Sequence, residues 1–144
     1  LQEFRENFAA VFSDFHLFTQ LYGVDEDALD DADDWIESLE INDKVNLDGR
    51  VLSTIDLSTG QRKRVALLGA LLERRPVLIL DEWAADQDPL FRRKFYREIL
   101  PKLRATGVTI IAVTHDNRFF DAADRQIHME DGLLGTYDPE LYHD

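Results

Sequence analysis

Short apolar runs that predict buried strands occur three times in the 144 residues. They are residues 8–12, Val77–Leu80 and Val108–Val113, and each is bounded by polar or helix-breaking residues. A continuous apolar run of this length is typical of a strand covered on both faces, as in a parallel sheet.

Helical patterns lie between these runs. Apolar positions in residues 29–39 form a stripe that follows an acidic run, and the acidic run itself fits a solvated helix start better than an EF-hand calcium loop. Ser58 followed by Gln61 is a capping-box pattern, so a second helix begins there and ends before Pro76.

A third helix is expected to begin at Asp88-Pro89, an N-cap followed by proline at the first helical position. It continues towards residue 103, with Pro101 as the site of a kink. Residues 42–56 are polar and irregular, a short helix is expected over 117–123, and a hairpin is expected from Arg125 to Tyr137 that turns at Asp131-Gly132. The alternation of helices and apolar strands predicts an α/β fold with a parallel sheet.

Composition narrows the class of protein. The hydrophobic fraction of 44% supports a packed core, and the absence of cysteine excludes disulfides and thiolate chemistry. The formal net charge of -13 repels phosphate backbones, so we expect no nucleic-acid partner. No apolar run approaches the ~20 residues that a membrane helix needs.

Two carboxylates, Asp81 and Glu82, follow the apolar strand Val77–Leu80. Ligands bind at the carboxyl ends of parallel strands, and successive side chains alternate in direction. One acid can therefore hold Mg²⁺ through water while the other accepts a proton from an attacking water. A strand that merely ends in acidic residues would give the same pattern.

Two further positions carry candidate chemistry. A small turn at the start of a helix is expected in Leu57-Ser58-Thr59-Gly60-Gln61, and the helix N–H groups there can bind phosphate. An ordinary N-cap would have the same sequence pattern. His115 follows the third apolar run and can reach a terminal phosphate or an attacking water there, although a lone loop histidine is usually structural.

The order and spacing of four segments resemble the ABC ATPase family over most of residues 8 to 135. The segments are Leu57-Ser58-Thr59-Gly60-Gln61-Arg62-Lys63-Arg64, Leu78-Ile79-Leu80-Asp81-Glu82, Ala85-Asp86-Gln87-Asp88-Pro89 and Val113-Thr114-His115-Asp116. The stretch from Asp81 to Pro89 is similar to the bacterial cyclic-peptide and siderophore-peptide exporter branch. Typical ABC proteins differ here, because they have Pro-Thr-Ser-Ala-Leu-Asp after the Walker B acid.

The resemblance implies a RecA-like ABC ATPase core, here partial, with a helical signature subdomain (about 14–75), the C-terminal part of the core (about 76–144) and a C-terminal β-hairpin. It implies ATP and Mg²⁺ as the ligands. By the same resemblance, Ser58, Thr59, Gly60 and Gln61 belong to the signature motif that contacts ATP. Asp81 would bind magnesium and Glu82 would be the general base. Asp86 would lie in the D-loop at the dimer interface, and His115 would be the switch histidine.

The chain departs from the family pattern in three places. Thr59 stands where the first signature glycine is usual, and a small polar residue is expected to be tolerated. Ser13 stands where the Q-loop glutamine is expected, with Asp14 beside it as a substitute. No glycine lies in a G-x-x-x-x-G-K-[S/T] pattern, so the Walker A loop is absent from these residues and we expect the chain to be a fragment, inactive alone.

The resemblance implies a parent protein that uses ATP binding and hydrolysis to export a peptide or siderophore-like compound. Its implied partners are a second ABC ATPase domain, in a head-to-tail dimer, and the exporter's transmembrane domain, at the cytoplasmic face of the bacterial inner membrane. The fragment itself is expected to be soluble. The alternatives are a non-catalytic dimerisation or interaction module and a soluble non-transport ABC ATPase, of which a DNA-repair type is disfavoured by the missing coiled coil.

Overall fold

A computed structural model describes residues 2–135. In chain order its helices and strands are α1 (Gln2–Arg5), β1 (Phe8–Val11), α2 (Ala32–Ser38), β2 (Leu47–Asp48), β3 (Val51–Leu52), α3 (Thr59–Leu72), β4 (Val77–Asp81), α4 (Pro89–Lys94), α5 (Leu100–Ala105), β5 (Thr109–Val113), β6 (His128–Glu130) and β7 (Leu133–Gly135). Short 3-10 helices cover Glu26–Asp31, Trp83–Asp86 and Asn117–Ala122, and a π-helical segment covers Phe95–Ile99.

The central sheet is parallel and has the strand order β1-β4-β5. Val11 lies opposite Leu80, and Asp81 lies opposite Val113, so the carboxyl ends of all three strands meet at one edge. This confirms the predicted α/β fold with a parallel sheet. Each strand connection passes through helices, as parallel pairing requires.

Strand β5 differs from its prediction as a strand buried on both faces. Its Ile111 and Val113 side chains are 49% and 50% exposed. Within residues 2–135, β5 hydrogen-bonds only to β4, so its outer edge has no partner strand. The apolar pattern correctly identified a strand, but the prediction of burial was wrong because nothing in the described part of the chain covers this side.

Helix α3 forms the centre of the core. Its buried face packs against β1, and Val65, Leu67 and Leu68 are fully buried. The predicted capping box is present: the Gln61 N–H donates to Ser58 Oγ at 3.3 Å, and Gln61 Oε1 accepts from the Ser58 N–H at 3.1 Å. The capping box therefore sets where α3 begins.

The third predicted helix begins as expected at Asp88. Its Oδ1 accepts hydrogen bonds from the N–H groups of Leu90 (3.1 Å) and Phe91 (3.0 Å). The regular α-helical pattern is interrupted by the π-helical segment just before α5, near Pro101, and the kink expected at Pro101 stays a prediction. Proline supplies no N–H for the regular helical pattern, and π segments are a recognised place for helices to bend.

Two hairpins complete the described residues. The predicted C-terminal hairpin is present as β6 and β7, and positive φ at Asp131 (49°) and Gly132 (78°) fits its two-residue turn. Tyr137, the expected end of this hairpin, lies outside the described residues. In residues 42–56, which were expected to be irregular with a turn at Gly49, the turn is present and joins the small β2–β3 hairpin. Among the described helices, none combines the length and apolar character needed to cross a membrane.

Candidate functional site

The end of β1 and the end of β4 bring Ser13 and Asp81 together. The Ser13 hydroxyl donates to Asp81 Oδ2 at 3.3 Å, across 68 residues of sequence. Asp14, the neighbouring candidate, is exposed, and no hydrogen bond or ion pair in the described residues connects it to Asp81. Ser13 rather than Asp14 therefore contacts the strand-end carboxylate.

Glu82 turns in the other direction, towards β5. Its backbone is left-handed (φ 50°), a conformation that costs a non-glycine residue about 1–3 kcal/mol. Its N–H donates to the Val113 carbonyl at 3.0 Å. The two acids thus face different neighbouring strands, as the alternation of strand side chains predicts.

The Glu82 carboxylate meets His115 at this edge. Glu82 Oε1 lies 3.1 Å from His115 Nε2 but accepts no hydrogen bond from the described residues, although it is buried. The His115 side chain is 94% exposed. Both line a cavity of about 350 Å³, with Arg92, Thr114 and Asp116 among the other lining residues. A buried carboxylate oxygen that accepts no hydrogen bond and faces a cavity is placed to accept a proton from water.

The Ser58–Gln61 turn lies at the start of α3. Ser58 and Thr59 are exposed, and the Ser58 oxygen accepts the Gln61 N–H, so the hydroxyl proton remains available to an incoming phosphate. Thr59 has an ordinary helical backbone, so the backbone does not require glycine there. Gly60 differs, because a Cβ atom at this position would lie 2.9 Å from the Asp86 carbonyl oxygen.

Gln87 and Arg64 hold this turn against the Asp86 loop. The Gln87 side chain is buried; its Nε2 donates to the Gly60 carbonyl (3.1 Å), and its Oε1 accepts from Arg64 Nε (2.9 Å). Arg64 also forms an ion pair with Asp88 at 3.2 Å. The start of α3 and residues 86–88 consequently form one packed unit.

Arg92, on α4, holds the same loop and connects it to Asp116, which follows β5. Its guanidinium donates to the carbonyls of Ala84, Ala85 and Gln87, and it forms an ion pair with Asp116 at 3.2 Å. Asp116 directly follows His115. Hydrogen bonds from Arg118, and then from Arg92, lower the pKa of Asp116, so its carboxylate stays charged near neutral pH.

The candidate residues therefore form two groups. Ser13, Asp81, Glu82 and His115 meet at the sheet edge, whereas Ser58, Thr59, Gly60 and Gln61 lie against the loop that contains Asp86. No hydrogen bond or ion pair between described residues joins the Ser58–Gln61 turn to Asp81, Glu82 or His115.

Sequence reasoning missed the residues that join the two groups, chiefly Lys63 and Arg92. The Lys63 ammonium, on α3, lies 2.6 Å from Asp86 Oδ2 and donates to the Glu82 carbonyl at 3.0 Å. One signal was available. Arg62, Lys63 and Arg64 are three successive cations near a helix N-terminus, where the helix dipole disfavours positive charge, so they must have partners.

The donors at the sheet edge suit magnesium only in part. Ser13 and Asp81 offer oxygen ligands, which Mg²⁺ prefers. Within residues 2–135, no group of three or more histidine, aspartate or glutamate side chains is arranged to hold a metal ion alone. Magnesium would therefore need water and substrate phosphate oxygens to complete its shell, which is its usual mode of binding in proteins.

Comparison with known proteins gives consistent matches. The family profile described as ABC transporter matches residues 1–85. The chain is 50% identical over 136 residues to the ATP-binding protein SyrD of Pseudomonas syringae pv. syringae, which covers 92% of this chain and 24% of SyrD. It is 36% identical over 138 residues to the aliphatic sulfonates import ATP-binding protein SsuB of Pseudomonas putida, covering 94% of this chain and 51% of SsuB.

Solved structures share the fold. CbiO1 of Clostridium perfringens, described as part of the ABC transporter complex cbiONQ, superimposes with a TM-score of 0.68 at 29% identity, covering 94% of this chain and 59% of that one. The chain spans about a quarter of the length of SyrD and about half of the length of SsuB.

Gly60→Ala tests the close approach between α3 and the Asp86 loop. The added Cβ meets a backbone oxygen that cannot move without displacing the loop, so we expect a loss of about 1–3 kcal/mol in the free energy of unfolding. Gly69→Ala on the same helix is the control, because its Cβ meets only a leucine methyl at 3.4 Å. Equal thermal unfolding midpoints for the two variants would contradict the packing described here.

Proposed function

The chain belongs to the ABC transporter ATP-binding family, and on that premise we propose that it is the C-terminal part of an exporter's ATP-binding domain. In this proposal the whole protein couples ATP binding and hydrolysis to transport of a peptide or siderophore-like compound. The observation that carries the proposal is the meeting of Ser13, Asp81, Glu82 and His115 at one sheet edge. About 14–75 would be its helical signature subdomain and about 76–144 the end of its ATPase core.

In the proposed mechanism, the Asp81 carboxylate, which accepts a hydrogen bond from Ser13, would hold Mg²⁺. The chemistry supplied there would be neutralisation of charge on the phosphoryl group that is transferred. Glu82 accepts a proton from the attacking water through its free, buried Oε1. His115, 3.1 Å from that oxygen, contacts the terminal phosphate or the same water.

The position of the Ser58–Gln61 turn, the signature turn, supports a head-to-tail dimer. Ser58 and Thr59 are exposed and lie apart from the Glu82 carboxylate of their own chain. A turn of this kind can serve a phosphate only on a second subunit that docks against it, because helix N–H groups act at contact distance. We therefore propose a second ATP-binding domain as the partner, with Asp86 at the interface.

An exposed aromatic cluster supports contact with a transmembrane domain. His16 stacks edge-on with Phe18 (4.6 Å between centroids), and Phe18 stacks edge-on with Tyr22 (5.3 Å). Phe18 and Tyr22 are more than half exposed, while Leu17 and Leu21, which directly precede them, are buried. Exposed aromatics on a rigid support are typical of interfaces. This contact would hold the protein at the cytoplasmic face of the bacterial inner membrane.

The direction of transport rests on the stretch from Asp81 to Pro89. Its Trp-Ala-Ala-Asp-Gln-Asp-Pro sequence resembles the peptide-exporter branch. The SyrD match is 50% identical, whereas the match to SsuB, an import protein by its name, is 36% identical. Both observations support export over import.

The open edge of β5 supports one alternative, an interaction module. Unpaired edges bind strands of other chains. In the leading proposal, this edge and the exposed Ile111 and Val113 are covered by a segment that carries the P-loop, since the 144 residues contain no such motif. Without that segment, the chain would associate with other chains instead.

Glu82→Gln in the full-length protein tests the general base. We expect steady-state ATP hydrolysis to fall roughly 10²–10⁴-fold with ATP binding retained, because glutamine accepts no proton. The control is Glu98→Gln, which changes an exposed glutamate on the π-helical segment. Hydrolysis at the wild-type rate by Glu82→Gln would remove this residue from the mechanism.

The missing P-loop gives a second prediction. The 144-residue chain should show no heat of magnesium-ATP binding by calorimetry at millimolar ATP, whereas the full-length protein should bind. The reason is that P-loop N–H groups and lysine supply most phosphate contacts in such proteins. Circular dichroism would verify that the isolated chain is folded, and tight ATP binding by it would contradict the proposal.

A further inference from the structure

Lys63 is a buried cation that the proposed mechanism leaves without a role. It is 2% exposed and lies in the second turn of α3. Its ammonium has two partners, Asp86 Oδ2 at 2.6 Å and the Glu82 carbonyl oxygen at 3.0 Å. Burial of a charge is costly unless it is paired and hydrogen-bonded, so both contacts are required for Lys63 to occupy this place.

The Lys63 contact fixes the backbone on one side of Glu82. The Glu82 carbonyl accepts from Lys63 Nζ and from the Ala85 N–H (3.2 Å), while the Glu82 N–H donates to Val113 (3.0 Å). Both peptide groups that flank the Glu82 Cα atom are therefore held from outside the residue. The left-handed φ of 50° persists under this constraint, and it sets the direction in which the carboxylate leaves the chain.

A second contact ties the same backbone to α3. The indole Nε1 of Trp83 donates to the Lys63 carbonyl at 2.8 Å, and Trp83 is almost fully buried. Lys63 thus contributes its ammonium to Glu82 and its carbonyl to Trp83. Two contacts therefore connect the start of α3 to the backbone that bears Glu82.

We propose that Lys63 is a positioning residue. It orients the Glu82 carboxylate and makes the position of that carboxylate depend on the position of helix α3. The proposal rests on the proposed function. Lys63 itself touches no substrate; it acts through the Glu82 carbonyl and Asp86. When the signature turn docks on the nucleotide of a second subunit, α3 would carry this displacement through Lys63 to the general base of its own subunit.

The test is Lys63→Met in the full-length protein. Methionine replaces the apolar stem of lysine but lacks the ammonium group and so supplies neither contact, and the Glu82 carboxylate is no longer held in place. A misplacement of about 1 Å can lower a rate about 10²-fold, so we expect kcat for ATP hydrolysis to fall by about that factor. The dissociation constant for magnesium-ATP, measured by calorimetry, should stay at the wild-type value.

Lys94→Met is the matched control. Lys94 also forms a 2.6 Å ion pair with a glutamate of positive φ, Glu40 (54°), but at a place remote from the sheet edge. Its loss should leave kcat unchanged. A purely structural role for Lys63 would instead lower the unfolding temperature and weaken ATP binding together with kcat, and that result would overturn the proposal, as would wild-type kcat in Lys63→Met.

Lys63→Gln decides the matter if the methionine variant does not fold. Its amide keeps a hydrogen-bond donor, one bond nearer the backbone than the ammonium, and forms no ion pair with Asp86, so kcat should lie about tenfold below wild type, between the wild-type value and that of a fully misplaced carboxylate. Wild-type kcat would overturn the proposal. Glu82→Gln separates the two levels: its inactivity beside a fully active Lys63 variant removes only the positioning role, whereas full activity of Glu82→Gln removes the general-base role on which the positioning depends. The proposed function itself fails only if the wild-type full-length protein does not hydrolyse ATP.

Discussion

The register in which β4 pairs with its two neighbours determines where the candidate site side chains lie. Val11 opposite Leu80 brings Ser13 beside Asp81, and Asp81 opposite Val113 brings His115 beside Glu82. A slip of one residue in the β1–β4 pairing would remove Ser13 from Asp81, and a slip in the β4–β5 pairing would remove His115 from Glu82. The two acids point in different directions because successive side chains alternate, and the two pairings give each acid its neighbour.

Two cations secure the loop between these acids and α4. Lys63 holds it from α3 through Glu82 and Asp86, and Arg92 holds it from the β5 side through three carbonyls and Asp116. Hydrogen bonds from charged donors are stronger than neutral ones, and a loop fixed on both sides cannot move independently of either. In the proposed function, these contacts connect the signature turn, the general base Glu82 and His115 into one rigid group.

Sequence patterns predicted the elements well where local chemistry decides them. The capping box at Ser58 and the Asp88-Pro89 helix start depend on neighbouring residues, and the structure confirms both. Burial of β5 depends on what lies beside it, and the prediction was wrong there. The role of Lys63 was also beyond sequence reasoning, because its partners lie about 20 residues away and meet it only after the sheet and α3 pack together.

The most direct test of the central claim concerns the proposed metal site at the sheet edge. Mn²⁺ can stand in for Mg²⁺, and electron paramagnetic resonance measures its affinity for the ATP-bound, full-length protein. If Asp81 and Ser13 form the metal side of the site, Asp81→Asn should weaken Mn²⁺ binding about 10–100-fold, while Asp14→Asn, which changes an exposed neighbour, should not. Unchanged Mn²⁺ affinity in Asp81→Asn, or a loss only in Asp14→Asn, would contradict the account.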